Sequence, residues 1–580
     1  MSGQQEIVNR LSARLAVAGA GQPADLMLKN ARLVNVFSTE IVETNLAVKD
    51  GFIAAVGPQY SAAEEIIDLE GRYLSPGLID AHLHIESTLI MPGELARVIT
   101  AHGTTCVIND PHEIANVLGV DGVSLMIGAA EGLPCDFMFT VPSCVPATAM
   151  ETAGGEITAD QIAELLTHSR VVGLGEMMNY PGVIGADPAV LEKLAAAHRA
   201  GKVIDGHAPA VGGTDLQAYL SSGISTDHEC LTAQEALEKI GGGMKVIIRH
   251  GSASSSLAEI LPLVNVNNAG SFMFGSDDRE AAELLRKGHL DDLLKTAVAL
   301  GGDPLLMLKL ATINPARHYR LYDRGALAPG YRADLVVFED LRSFRVSLVI
   351  KDGRPVARDG RMVSPMAPFQ APPEVLHSVR LARAVEEKDF ALPAPAGRVP
   401  VIGVIPGQLI TEKLQLDLKP GSDGFLKADP AAEINKIAVI ERHRASGRLA
   451  VALVRGFGLR EGALASSVAH DSHNIIVVGV EEKAMAAAVN ELARLGGGFA
   501  AVDGSGEVRA SLALPVAGLM SPEPAEAVAE NMKELLKAAR GLGTEMPQPF
   551  LTLSFLALPV IPSLKITDRG LFDVDSFSFI

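Results

Sequence analysis

Short apolar runs alternating with helical stretches between residues 76 and 320 predict an α/β protein built on a (β/α)8 barrel. Three observations carry the prediction. Eight strand-like runs can be counted, around Leu78–His82, Thr105–Asn109, Phe137–Val141, Val171–Glu176, Lys202–His207, Ile224–His228, Lys245–His250 and Phe272–Asp277. Their span matches the roughly 250 residues usual for such a barrel. Most of the runs end in imidazoles or carboxylates, at the edge where a barrel of parallel strands carries its chemistry.

The chain has 580 residues, more than one core organises, so further parts should flank the barrel. Residues 1–75 open with an amphipathic stretch in which Glu6, Arg10 and Arg14 interrupt the apolar residues, unlike a secretory signal. The runs Leu26–Leu28, Arg32–Val36, Asn45–Lys49 and Phe52–Val56, with Asp50-Gly51 as a turn, read as a small antiparallel sheet. Residues 321–370 supply Ala333–Phe338 and Ser347–Lys351, with Asp352-Gly353 between strands, and should complete it as a small sandwich-like β domain. Proline-rich stretches (Pro365 to Pro373, Pro393 to Pro400) lead into an α+β part, 371–580, expected to cover the active site. There Glu481–Leu495 reads as a helix stopped by Gly496, Gly497 and Gly498.

Composition narrows the function. A net charge of −19 disfavours a nucleic-acid partner but not an uncharged nucleobase. No apolar run approaches the roughly 18 to 20 residues of a membrane span, so no membrane partner is expected. The four cysteines, Cys106, Cys135, Cys144 and Cys230, form no Cys-x-x-Cys pair. That argues for a reducing, cytoplasmic location and against a thiolate zinc site.

The first barrel strand ends in His82 and His84. Residues two apart on a strand share a face, so both imidazoles can begin a divalent-cation site. Alone they could equally be unrelated histidines. Glu176 at the end of strand four, His207 after five, His228 after six and Asp277 with Asp278 after eight add further ligand-type groups. Four imidazoles and two carboxylates should therefore meet on one rim.

Other residues keep two readings. His112 and Glu113, past strand two, and His250, after strand seven, either face the pocket or satisfy loop hydrogen bonds. Asp278 could orient a ligand; Asp80 and Asp227 read as supports. His470 to Asn474 reads as a pocket wall or lid holding His470 and His473, or as a capped turn. Met177 and Met178 read as core rather than as a slot for a flat base.

The strings Pro76-Gly-Leu-Ile-Asp-Ala-His-Leu-His84, Gly206-His-Ala-Pro209, Thr226-Asp-His-Glu229, Gly275-Ser-Asp-Asp278, Asn314-Pro-Ala-Arg317 and Gly330-Tyr-Arg-Ala-Asp-Leu-Val-Val337 resemble the amidohydrolase superfamily. His84-Ile-Glu-Ser87, Asn109-Asp-Pro-His-Glu-Ile-Ala-Asn116, Gly175-Glu-Met-Met-Asn179 and Ala469-His-Asp-Ser-His-Asn474 narrow the resemblance to the bacterial adenine deaminase family. The resemblance implies hydrolytic deamination of adenine to hypoxanthine and ammonia, as in purine salvage. It also implies two divalent cations sharing a hydroxide that attacks C6. His82, His84, Glu176 and Asp277 would hold one, and Glu176, His207 and His228 the other. Glu176 takes the bridging place that a carbamylated lysine has in many relatives, and Asp277 would accept and return the proton. The resemblance favours Mn2+, with Fe2+ and Zn2+ also suited to these donors, and a homo-oligomer, a dimer first. The His-x-Glu and Pro-Cys-x-x-Cys signature of cytidine-type zinc deaminases is missing. Two alternatives remain at this stage: a related enzyme cleaving a cyclic amide, as dihydroorotase does, and a non-catalytic scaffold on the same fold.

Overall fold

The computed structural model describes residues 3–580 apart from 253, 364, 365, 367, 368 and 370. Pro365 and Pro368 of the proline-rich stretch, and residue 370 at the expected domain boundary, lie outside the described residues.

Parallel strands form two arcs. Leu78–Leu83, Thr104–Asn109, Asp136–Val141, Val171–Met177 and Val203–Gly206 pair in chain order, as do Thr226–Asp227, Lys245–Arg249 and Phe272–Gly275. The arcs approach at both seams. The Asp277 N–H donates to the His82 carbonyl at 3.0 Å, and the Ser225 N–H to the Ile204 carbonyl at 2.9 Å. A parallel sheet curled in this way buries both faces, which explains the near-continuous apolar runs. Ala81, Ile108, Val172, Ile247 and Met273 pack inside it with Tyr319, whose hydroxyl donates to the Ala81 carbonyl at 3.0 Å. Helices start at built caps. Thr158 and Gln161 form a capping box, and Asp187 and Asp303 each stand before a proline at the first helical position.

Several strands stop short of the sequence reading. Val203–Gly206, Thr226–Asp227, Lys245–Arg249 and Phe272–Gly275 end before His207, His228, His250 and Asp277. These side chains therefore sit on the turns just beyond the strands. Asp277 has φ of 55°, a left-handed conformation that costs a non-glycine residue energy and is typical of functional turns.

The small sheet differs from the expected one. It has nine strands, ordered around Tyr73–Pro76, with Leu335–Phe338, Val346–Lys351, Arg354–Arg358 and Arg361–Met362 on one side. It is not purely antiparallel, because Ala24–Asn35 pairs in parallel with Ala63–Asp68 and with Tyr73–Pro76. The two runs read as Leu26–Leu28 and Arg32–Val36 are one strand, with a register shift between Leu28 and Ala31 where Asn30 takes φ of 54°. Asp50-Gly51 and Asp352-Gly353 turn with positive φ at both residues, the geometry that suits tight hairpins.

Beyond residue 390 an eight-stranded sheet runs Thr411–Leu416, Val399–Val404, Leu449–Arg455, Ile434–Ile440, Ile475–Gly479, Ala463–Ser466, Gly498–Val502 and Val508–Ala513. The helix Glu482–Leu495 buries Met485, Val489 and Leu492 against it and ends at Gly496, φ 79°. The loop between Ala463–Ser466 and Ile475–Gly479 carries His470 to Asn474 to the rim of the curled sheet. Among the described residues no helix is long and apolar enough to cross a membrane.

Candidate metal centre

The rim gathers residues far apart in sequence. Glu176 Oε2 lies 2.9 Å from His228 Nε2, 3.2 Å from His207 Nδ1 and 3.7 Å from His82 Nε2. Asp277 Oδ1 lies 3.4 Å from His82 Nε2 and 3.3 Å from His84 Nε2. All are buried except His207, which is partly open.

Hydrogen bonds behind the rings aim them. His84 Nδ1 faces the Asp110 carbonyl at 2.9 Å. A carbonyl only accepts, so Nδ1 carries a proton and Nε2 is the ring nitrogen turned to Asp277. The Asp110 carboxylate accepts the Glu176 N–H at 2.9 Å and so fixes the strand-four end. Asp80 accepts from the His82 and Ser276 N–H groups, each at 3.1 Å, and pairs with His289 Nε2 at 3.0 Å. Asp227 is tied to buried Lys239 at 3.0 Å. The supporting roles read for Asp80 and Asp227 agree with these contacts.

Electrostatics shows what kind of group the centre suits. Against the cost of burial, His207 and His228 hold Glu176 well below the usual carboxylate range. Arg249, His82 and His84 do the same for Asp277. Burial depresses the imidazoles, yet the carboxylates push His84 well up and His228 to about 9. Buried anions among imidazoles call for positive charge, which either protons or divalent cations can provide. His82 Nε2 is buried with no hydrogen-bond partner. The sets His82–His228–Asp277, His82–His84–Glu176 and Glu176–His207–His228 each bring their donor atoms within 4.8 Å of one another. Imidazole and carboxylate without thiolate suits a borderline or hard divalent ion, so the residues fit such a group.

Glu113, His470 and His473 form another close set, but its chemistry differs. The Ala469 N–H donates to His473 Nδ1 at 3.2 Å, so the ring proton of the neutral imidazole sits on Nε2, against Glu113 Oε2. Burial pulls His473 down to about 4, which keeps it neutral. His470 Nδ1 lies 2.8 Å from Glu113 Oε1, and Glu113 overcomes burial to raise it to about 9. Both Glu113 oxygens are thus engaged by the C-terminal loop. This is a clasp rather than a cation site. Asn474 adds a hydrogen bond to the Thr152 carbonyl at 2.9 Å.

His112 bridges clasp and centre, 3.4 Å from both Glu113 Oε1 and Glu176 Oε1. Asp278 faces a neighbouring cavity and accepts from Ser87. His250 is not brought into the cluster; its Nδ1 meets Ser255 Oγ at 2.9 Å. Met177 is core. Sequence reasoning passed over Arg249, whose Nη1 lies 2.9 Å from Asp277 Oδ2, together with its partner Glu229 and with Asp110. Their one signal was adjacency to residues already singled out.

The curled sheet carries a candidate metal centre on its rim, and residues 73–356 match the amidohydrolase family. Residues 408–578 match the adenine deaminase C-terminal domain. Proteins called adenine deaminase are 49% identical in Desulfatibacillum aliphaticivorans, over 98% of both chains, and 46% identical in Dehalococcoides mccartyi, over 98% of this chain and 99% of that one. Another, from Methanothrix thermoacetophila, is 46% identical with the same coverage. The chain belongs to the adenine deaminase family of amidohydrolases.

Proposed function

We propose that this chain hydrolyses adenine to hypoxanthine and ammonia with two divalent cations, Mn2+ first, held by His82, His84, Glu176, His207, His228 and Asp277. The observation that carries the reading is the convergence of two buried carboxylates and four imidazoles beside a cavity lined by both polar and apolar side chains. The full-length relatives called adenine deaminase supply the substrate.

Bound divalent cations lower the pKa of water toward about 7 and so supply a nucleophile at neutral pH. The remaining work falls to the side chains. Glu176 spans both halves of the centre and sets their spacing. Asp277 accepts a proton from the attacking water and delivers it to the departing amine. The balance is one water consumed at C6 and one ammonia released. Phe499, Phe550 and Leu519 from the C-terminal part wall the cavity and exclude bulk water.

The reading divides the chain as residues 1–75 and 321–370 for a small β domain, 76–320 for a (β/α)8 barrel, and 371–580 for a covering α+β domain. All four cysteines are free, which supports a cytoplasmic location for an enzyme of purine salvage. Exposed Ile7, Leu11 and Leu15 on the helix Gly3–Ala18 support a homo-oligomer. The test is ammonia release by metal-reconstituted protein from adenine, adenosine, guanine and cytosine, with dihydroorotate as a cyclic amide. Adenine should be the best substrate. Turnover of the cyclic amide with no ammonia from adenine would replace this reading.

A further inference from the structure

We infer that Glu86 is a specificity-determining residue whose carboxylate accepts a hydrogen bond from the ring N–H on the five-membered side of the bound base. The inference rests on the adenine reading above.

Glu86 opens the short turn Glu86–Thr88, two residues beyond His84 and just past the strand Leu78–Leu83 that carries His82. It is 3% exposed. Its Oε1 accepts the Ile114 N–H at 3.1 Å, while Oε2 is buried without a partner. A buried acceptor left unmatched is costly, and in native proteins such an atom calls for a water, an ion or a functional partner. Glu86 lines the cavity together with Ser87, Glu113 and Asp278 and with apolar Phe499 and Phe550.

The neighbouring acids are already committed. Both oxygens of Glu113 face the imidazoles of His470 and His473, and Asp278 Oδ1 accepts from Ser87. Among the described acids of this wall, Glu86 Oε2 has neither a hydrogen bond nor an ion pair. A planar base stacked on the apolar side chains can present one edge to such an acceptor. Adenine carries a single ring N–H, on its five-membered ring. With C6 directed at Asp277, that ring extends away from the metal ligands into the cavity.

9-Methyladenine has the same reacting carbon but no ring N–H, and it provides the test. The unmodified holoenzyme should favour adenine over 9-methyladenine by at least about tenfold in kcat/KM, the discrimination a site built for a hydrogen bond imposes. Glu86→Gln keeps an acceptor for Ile114 and turns an amide N–H2 toward the base. It should raise KM for adenine about tenfold, with a smaller change in kcat, and shrink the preference to about threefold or less. Bound metal should match the parent. Equal use of both bases by the parent overturns the inference, whether or not the variant folds. So does a variant with unchanged KM and preference, or one whose loss follows missing metal, which would make Glu86 a support for His84. A parent that deaminates adenine but ignores the methyl group sinks this inference alone. A parent inert toward adenine sinks the functional reading and this inference with it.

Discussion

Arg249 Nη1 lies 2.9 Å from Asp277 Oδ2, and the same guanidinium pairs with Glu229, the neighbour of His228. One cation thus ties the turn after strand eight to the turn after strand six. By capping Oδ2 it leaves Oδ1 to face His82 and His84. The pair is buried, so its loss is felt through the carboxylate left behind.

Replacing Arg249 with Met strands that carboxylate. The expected cost is about 3–5 kcal/mol of stability, read by urea unfolding of the metal-free protein, with Arg249→Lys recovering part of it. Unchanged unfolding in the Met variant contradicts the tie.

Glu176→Gln removes the anion shared by both halves of the centre. Metal analysis after reconstitution should show both ions lost or weakened together. Full occupancy would end the bridging assignment.

Asp277→Asn keeps a ligand oxygen but not a proton acceptor. Turnover should fall by about 10²-fold or more, the contribution of general acid–base catalysis, with KM changing far less. An effect confined to KM would remove the proton-transfer role.

The clasp gives a pH dependence. Burial opposes charge on His470, but Glu113 raises it to about 9, against about 6.5 in an unfolded chain. Between those values the folded protein holds the extra proton, so stability is complete below pH 6.5 and is lost as pH climbs through 9. The loss is on the order of 3 kcal/mol. Urea midpoints from pH 6 to 9.5 should fall in the parent and fall less steeply in His470→Gln, where the remaining slope comes from His84 and His228.

The legible part of the site follows from local rules. Period-two spacing put His82 and His84 on one face, and strand-end positions marked Glu176, His207, His228 and Asp277. His250 shows the limit of such marking. It has the same place at a strand end, yet its ring turns to Ser255, while Arg249, one residue earlier, reaches Asp277. A one-residue change in where a strand stops reverses which side chain points inward. The same blindness split the bulged strand Ala24–Asn35 into two runs and hid its parallel partners.

By itself the sequence determined the repeating strand–helix order, the ligand types and their places at strand ends, because alternation and chain spacing are encoded residue by residue. Only the tertiary structure decided which of those groups meet: that Glu113 is consumed by His470 and His473 across more than 350 positions, that Arg249 caps Asp277, and that Glu86 keeps an acceptor unpaired. Those outcomes depend on burial and on the last few ångströms of approach, where hydrogen-bond capacity is either filled or left over, and no local pattern records that.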